Sequence, residues 1–334
     1  MAEVATPASN IIQRNRFTNI KRFFIRLAKE KPVGLIGGVI ILLMFFTGIF
    51  CDFLAPYGYN ELDLVNRLAA PSSEHILGTD NLGRDLFSRI IYGARISMLV
   101  SVIASAISIT GSTIIGMTSG YIGGKFDLLM QRWVDAVQAF PALIFFLTIM
   151  AIIGQGLWQV IFVLGITGAI GGGRVIRGTV LSIKENMYVE ASKVIGASQI
   201  RILWKHILPH VAPLVIIAFS LSMGRMILAE ASLSFLGFGI PPPYPSWGGM
   251  ISGAGREYME MAPWMLLWPG LALFLVVYSI NMFGDAIRDL LDPRLRGGIG
   301  RYSGAKLEKL RAKYRAEAEE ENKAASLKLT NPNK

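Results

Sequence analysis

Few residues in this 334-residue chain have the types and spacing that covalent chemistry requires. His206 and His210 could present two imidazoles to a metal ion. However, no glutamate follows His206, no third ligand is evident, and Pro209 interrupts the turn. Gly123-Gly124-Lys125 approaches a phosphate-binding loop, but Phe126 stands where a serine or threonine would coordinate magnesium. The sequence therefore predicts no metal site, no bound cofactor and no ATP hydrolysis by this chain.

Ionisable side chains are rare within the apolar stretches of the sequence. Arg225 lies inside one stretch, and Glu230 and Asp285 lie near the ends of others. A charge within a membrane span normally faces a protein interior or water. Arg225 is therefore a candidate pathway residue that could pair with a substrate carboxylate. The alternative is that Arg225 snorkels towards the membrane surface or pairs with Glu230.

The composition indicates the class of protein that must position these residues. The chain is 52% hydrophobic and 17% charged, with a mean hydropathy of +0.48. A soluble domain has about 25% charged residues, and a disordered chain is poor in apolar residues. We therefore expect an all-α, polytopic membrane protein. The net charge of +10 fits either nucleic-acid binding or basic cytoplasmic loops.

Uncharged stretches predict six transmembrane helices, since about 20 apolar residues span a bilayer. The third and fourth form one stretch, 136–173, which Gly154-Gln155-Gly156 divides into a helical hairpin. The other four cover residues 32–51, 96–124, 209–229 and 261–284.

Lysine and arginine predict the orientation of these spans. With both termini on the inner side, 27 of the 33 basic residues lie on that side, and the two outer loops carry five. This asymmetry favours cytoplasmic termini. It also accounts for the net charge without nucleic acid.

The polar ends of the chain form two further predicted regions. Residues 1–32 form a cytoplasmic N-terminal segment, and residues 298–334 form a cytoplasmic tail. Before the first span, an apolar face opposes a basic face, which predicts a short helix lying on membrane lipid at the inner leaflet; an ordinary juxtamembrane charge run is the alternative. The apolar face consists of Ile20, Phe23, Phe24 and Leu27, and the basic face of Lys21, Arg22, Arg26 and Lys29.

The loop between the fourth and fifth spans, about 185–208, has the pattern of a helix, a glycine turn and a second helix. Glu190 supplies one acidic side chain, and Gly196 allows a sharp change of direction. Leu208-Pro209 is expected to end the second helix and begin the next span. A motif this small cannot bury itself, so it requires a partner.

This loop resembles the cytoplasmic signature of the membrane subunits of ATP-binding-cassette (ABC) importers. The signature is Glu-Ala-Ala, three residues, glycine, nine residues and Ile-x-Leu-Pro. Two positions depart from it: Ser192 replaces the second alanine, and His206 replaces the isoleucine. The matching residues are Glu190, Ala191, Gly196, Leu208 and Pro209.

Further segments narrow the resemblance to the C-type permeases of dipeptide and oligopeptide importers. Together they cover about residues 20–297. These segments are His75 to Asp85, Gly120 to Gly124, Leu233 to Gly237, Pro245 to Gly248, Asn281 to Asp285 and Leu291 to Arg294.

The resemblance implies a type I ABC importer permease fold over residues 33–297, in a bacterial inner membrane. It also implies a second permease subunit, two ABC ATPase subunits and an extracytoplasmic substrate-binding protein. The substrate would be a peptide, although related permeases also import nickel chelates or sugars. The rival interpretation is an ATP-independent secondary carrier or channel. The scarcity of intramembrane ionisable groups disfavours that rival.

The outer loop, Ile240 to Arg256, contains four prolines before Trp247. Such a stiff, aromatic-tipped loop suits docking of a substrate-delivering protein; a rigid cap without a docking role is the alternative. Glu230-Ala231-Ser232 begins like the ABC signature but lies at the outer end of its span. It is therefore a candidate outer gate or receptor contact, with packing at the helix end as the alternative. Cys51, the single cysteine, is predicted to be a small buried apolar residue.

Overall fold

The structure is a computed structural model that describes residues 16–291, with side chains from residue 23 onward. The predicted tail, 298–334, and the first 15 residues lie outside the described residues. The described part of the chain is helical and contains no strand, which confirms the all-α class. Its helices are α1 (Arg16–Glu30), α2 (Pro32–Ile49), α3 (Cys51–Leu54), α4 (Leu86–Ile122), α5 (Gly124–Gln138), α6 (Ala142–Ile153), α7 (Leu157–Ile183), α8 (Met187–Val194), α9 (Gln199–Ile202), α10 (Leu208–Phe235), α11 (Trp247–Ile251), α12 (Ala254–Glu257) and α13 (Trp264–Leu291).

Five helices within residues 16–291 are long and apolar enough to cross a membrane. They are α2, α4, α7, the continuous run of α9 and α10, and α13. The pair α5 and α6 is bent by 84° and becomes a sixth span if it crosses as one unit. The direction of the neighbouring helices decides this point.

Helices α4 and α7 pack side by side and run in the same direction. A Cβ added at Gly111 would lie 2.5 Å from the Cβ of Ala169. Nine residues further along α4, a Cβ at Gly120 would lie 3.0 Å from the carbonyl oxygen of Arg177. Residue numbers thus increase in the same direction along both helices, so the two helices cross the bilayer in the same direction. Glycine at these positions lets the two backbones approach closely, as in other membrane helix pairs.

Because α4 and α7 are parallel, the chain between them must return across the membrane. Only α5 and α6 are available for this return, so the bent pair is the sixth span. The bend falls at Phe140-Pro141, where proline lacks the N–H that would continue the helix. The predicted hairpin after it is confirmed: α6 ends at Gly154, and α7 begins after Gly156.

The second span begins earlier than the uncharged stretch indicated. Helix α4 starts at Leu86, and the Asp85 carboxylate caps it by accepting a hydrogen bond from Ser88 N at 2.8 Å. The helix therefore carries Arg89 and Arg95 within it. Both arginines have partners: Arg89 donates to the Tyr59 carbonyl at 2.8 Å, and Arg95 pairs with the Asp52 carboxylate at 2.6 Å. Because each arginine has a nearby partner, the helix can contain both charges. A count of charges alone instead predicts that the helix begins after them.

The remaining spans enclose this pair. Helix α2 packs closely on α13, where a Cβ at Gly37 would lie 2.6 Å from the Ser279 carbonyl oxygen. Helix α1 precedes α2, and its Leu27 is buried against α13, while Phe24 stays exposed. The predicted apolar face of this helix thus packs partly on protein. Cys51 is fully buried, as predicted.

We expect Gly116→Ala to destabilise the chain, because a Cβ there would lie 2.5 Å from the Gly173 carbonyl oxygen and 2.8 Å from the Cβ of Ile176. Overpacking of this kind costs roughly 1–3 kcal/mol. The loss should appear as a lower midpoint of thermal unfolding in detergent. Gly178→Ala is the matched control, since a Cβ on that α7 glycine meets nothing within 4 Å. Equal midpoints for the two variants would contradict the close α4–α7 contact.

Candidate functional site

The loop between α7 and α10 forms the helix–turn–helix that its sequence predicts. Helix α8 ends at Val194, Gly196 reverses the chain with a φ of +79°, and Ser198 caps α9. A Cβ at Gly196 would meet nothing within 4 Å. Glycine is therefore required here by the left-handed backbone, which is costly for other residues, and not by lack of space.

The second helix does not end at Leu208-Pro209, which corrects the prediction. Helix α9 continues through one π turn, Leu203–Ile207, directly into α10. Pro209 cannot donate the helical hydrogen bond that its position requires. A π turn shifts the bonding pattern by one residue just before the proline, so the helix passes through. The second helix of the loop and the fifth span are thus one continuous helical element, Gln199–Phe235.

The side chains of this loop fall into a buried group and an exposed group. Val189, Ile202 and Ile207 are buried against α4, α7 and α10, and they anchor the loop. Glu190, Ala191 and Gly196 are exposed, whereas Ser192 is buried. Five large apolar side chains are exposed and define what we term the apolar cap: Met187, Val194, Ile195, Ile200 and Trp204.

The two departures from the ABC signature contact each other. Ser192 Oγ lies 3.4 Å from His206 Nε2, and it donates to the Tyr188 carbonyl at 2.8 Å. The Tyr188 ring stacks on His210 at 5.3 Å between centroids, and His210 Nδ1 donates to the His206 carbonyl at 2.7 Å. The two histidines therefore join α8 to the base of α10.

Further contacts attach the loop to α4. The Lys193 ammonium lies 5.4 Å from the centroid of the Tyr121 ring, within the range of a cation–π interaction. Lys184 Nζ donates to the Gly120 carbonyl at 2.9 Å. Both contacts reach the last turn of α4, so the loop and the adjoining end of α7 are tied to that helix.

A cavity of ≈ 930 Å³ lies between α4, α5, α6, α7 and α10. Its volume is at the upper end of the range of about 300–1,000 Å³ that small-molecule sites occupy. The bend at Phe140-Pro141 forms part of its wall, together with glycines of α7. Its polar lining residues are Ser108, Ser112, Gln138, Thr167 and Arg225.

Arg225 is exposed on the cavity side of α10. It forms no ion pair within residues 23–291, so the structure does not support the alternative that it pairs with Glu230. An arginine at the centre of a span costs about 2.5–3.5 kcal/mol on insertion. That cost is reduced where the guanidinium faces a cavity and not lipid.

Glu230 and Trp247 lie in the protein interior near the outer end of α10. Glu230 is fully buried and its Oε1 accepts a hydrogen bond from Ser234 Oγ at 2.7 Å. This geometry supports packing at the helix end and contradicts a surface contact with a receptor. Trp247 is also fully buried, and its Nε1 donates to the Ile90 carbonyl at 3.1 Å.

The expectation that Trp247 tips the outer loop is therefore wrong. Its indole fills the space above Gly93, where a Cβ would lie 3.0 Å from the ring. The exposed aromatic side chain of this loop is Tyr244, which stacks on Tyr59 at 6.0 Å. The sequence analysis missed Tyr244, although its position between Pro243 and Pro245 in a stiff segment is a signal that could have indicated it.

Six helical spans, a cavity among them that both polar and apolar residues line, and an exposed helical loop at one end define a membrane transport subunit. The chain belongs to the family of binding-protein-dependent transport system inner membrane components, whose model matches residues 112–297. A second model, the N-terminal TM domain of oligopeptide transport permease C, matches residues 19–71. The chain is therefore a multi-pass inner membrane protein, as predicted.

Similar proteins agree with this assignment. The chain is 38% identical over 268 residues to the dipeptide transport system permease protein of Alkalihalophilus pseudofirmus, covering 80% of this chain and 88% of the relative. It is 37% identical over 278 residues to the glutathione transport system permease protein of Pectobacterium atrosepticum, covering 82% and 91%.

A solved structure shares the fold. The inward-facing MetNI methionine ABC transporter aligns with a TM-score of 0.51 at 18% identity, over 62% of this chain and 98% of that chain. This likeness confirms the predicted ABC importer permease fold.

In an assembled importer, we expect Gly196→Val to abolish most transport while the chain still inserts. The left-handed backbone costs a branched residue about 1–2 kcal/mol, which favours a different path of the loop. Gly196→Asn is the matched control, because asparagine tolerates this conformation. Transport and ATP hydrolysis measured on the same preparation test the change. Normal transport by Gly196→Val would contradict the assignment of this loop as a contact surface.

Proposed function

We propose that this chain is a permease subunit of an ATP-driven importer of peptides. It would form the translocation path together with a second permease subunit of similar fold. The observation that carries this proposal is the combination of a cavity within the spans, which Arg225 lines, and an exposed apolar cap at their inner end. The names of the relatives, which include dipeptide, oligopeptide and glutathione permeases, support small peptides as the substrate class.

The apolar cap and Glu190 would contact the ABC ATPase subunits. Large exposed apolar patches on soluble-facing surfaces mark interaction sites, and the cap lies between two short helices that cannot bury it themselves. Ala191, Gly196 and Pro209 would shape this surface, with Ser192 and Leu208 packed behind it. Two such ATPase subunits would drive the importer, and this chain would contribute no covalent chemistry.

ATP-driven closure of the ATPases would move the loop as a rigid body. The continuous helix from α9 into α10 supports this mechanism, because it links the loop directly to a wall of the cavity. Rocking of α10 would then open the path alternately to each side. The chain thus acts through a conformational equilibrium that its partners bias.

An extracytoplasmic substrate-binding protein would deliver the peptide to the opposite face, beside Tyr244. In this arrangement both termini lie in the cytoplasm of a bacterial cell. Residues 1–32, with α1, would lie against inner-leaflet lipid, residues 33–297 would form the permease domain, and residues 298–334 would extend into the cytoplasm. The distribution of basic residues supports this orientation.

Transport should therefore depend on ATP. Proteoliposomes containing the complete importer and its binding protein should accumulate labelled peptide only when ATP is present on the side of the membrane where the ATPase subunits lie. The matched control replaces ATP by a non-hydrolysable analogue. Uptake driven by an ion gradient alone would instead support the rival carrier or channel, which no observation currently favours.

The orientation can be tested by labelling introduced cysteines in a Cys51→Ala background. We expect a membrane-impermeant thiol reagent to label Val65→Cys in intact cells, since Val65 is 91% exposed in the proposed outer segment. Ser198→Cys, which is exposed at the proposed inner loop, should react only after permeabilisation. The reverse pattern would overturn the orientation and the coupling mechanism together. Ser246 is unsuitable as a reporter because it is 1% exposed.

A further inference from the structure

We propose that Arg225 forms a carboxylate-binding subsite within the cavity, and that it selects for peptides carrying a carboxylate at this point of the path. This inference deepens the proposed function and rests on it for the identity of the substrate. The subsite itself is a property of the described side chains.

Arg225 lies far from both ends of α10, which argues against its side chain snorkelling to the membrane surface. It lies ten residues before the end of α10 at Phe235, or about 15 Å along the helix axis. It also lies 17 residues after the start of α10 at Leu208, or about 26 Å. The side chain therefore begins near the middle of the span, and it lines the cavity.

Arg225 is the only charged residue among those that line the cavity. The acidic residues of neighbouring α5 are already paired with arginines of α7. Asp127 accepts from Arg177 Nε at 2.6 Å, and Asp135 pairs with Arg174. Glu230 is buried and bonded to Ser234. The cavity thus carries one positive charge that no described carboxylate neutralises.

The chemistry of this group favours a carboxylate over other ligands. A guanidinium presents a planar fork of donors that matches the two oxygens of a carboxylate. The low dielectric of a cavity within the spans strengthens that attraction relative to water. A cationic or neutral group at the same point would gain nothing comparable.

The remaining wall suits a peptide backbone. The Gln138 amide lies above a glycine surface, where a Cβ at Gly171 would come within 3.0 Å of Gln138 Nε2. An amide supplies both a donor and an acceptor, as a peptide group requires. Gly168, Gly171 and Gly172 also line this wall, and a Cβ at Gly168 would lie 2.5 Å from Ser108 Oγ. Ser112 contributes no free donor, because its hydroxyl donates to the Ala169 carbonyl at 3.0 Å.

The charge can be tested without any substrate. In the complete importer with Cys51→Ala, Thr167→Cys places a thiol on the cavity wall. The rates of modification by an anionic and a cationic methanethiosulfonate reagent are then compared. We expect Arg225→Met to lower the ratio of anionic to cationic rates by at least about tenfold, whereas Arg225→Lys should retain most of it. An unchanged ratio in Arg225→Met would overturn the subsite.

The selection for a carboxylate requires transport. Proteoliposomes with the complete importer take up trialanine or its C-terminal amide, each supplied at several concentrations with the binding protein. We expect Arg225→Met to lower the acid-to-amide ratio of kcat/KM by about tenfold, the loss of one charged contact. Leu228→Met is the matched control, because Leu228 is exposed on α10 but does not line the cavity.

The outcomes separate the two proposals. If the unaltered importer moves neither peptide with ATP, the proposed function fails, while the reagent ratio still tests the charge in the cavity. If both peptides are transported and Arg225→Met lowers their uptake equally, the carboxylate subsite is overturned and the proposed function stands. If the Arg225→Met importer does not assemble, Arg225→Gln is measured instead. It keeps a polar side chain without the charge and should give the same change in the acid-to-amide ratio of kcat/KM.

Discussion

The close parallel contact between α4 and α7 is the constraint on which the rest of this structure depends. Glycine at positions such as 111, 116 and 120 brings two backbones together, because nothing larger fits. Two adjacent helices that cross the membrane in one direction force the intervening chain to return. The return is made by α5 and α6, and their bend opens the cavity. The packing contact between these two helices thus shapes the cavity, and the Ser112 hydroxyl adds a hydrogen bond to the Ala169 carbonyl across it.

A second constraint links the inner loop to the cavity. Proline at position 209 would normally end or kink a helix, and the π turn before it absorbs the missing hydrogen bond. The chain therefore remains helical from Gln199 to Phe235. One unbroken helix therefore joins the loop to Arg225. Lys184 and Lys193 connect the same part of the chain to α4 through Gly120 and Tyr121.

The sequence alone predicted the class, the hairpin break and the glycine turn, because each depends on local composition or on one residue type. It placed the start of α4 too late, since a count of charges cannot show that Arg89 and Arg95 have partners. It also placed Trp247 at the tip of the outer loop. That error arose because burial of an indole depends on Gly93, more than 150 positions earlier in the chain. The pairing of Ser192 with His206 was likewise visible only in three dimensions.

The exposed apolar cap bears on how the cell handles copies of the protein that lack their partners. Val194 and Ile195 are each 83% exposed, and Trp204 is 66% exposed. A copy inserted without its ATPases would present these side chains to the cytosol, where chaperones and proteases recognise unfolded segments by the same feature. Unassembled copies would then be removed, and the amount of this chain would follow the supply of its partners. The surface that is proposed to contact the ATPases would thus also limit how much unassembled chain accumulates.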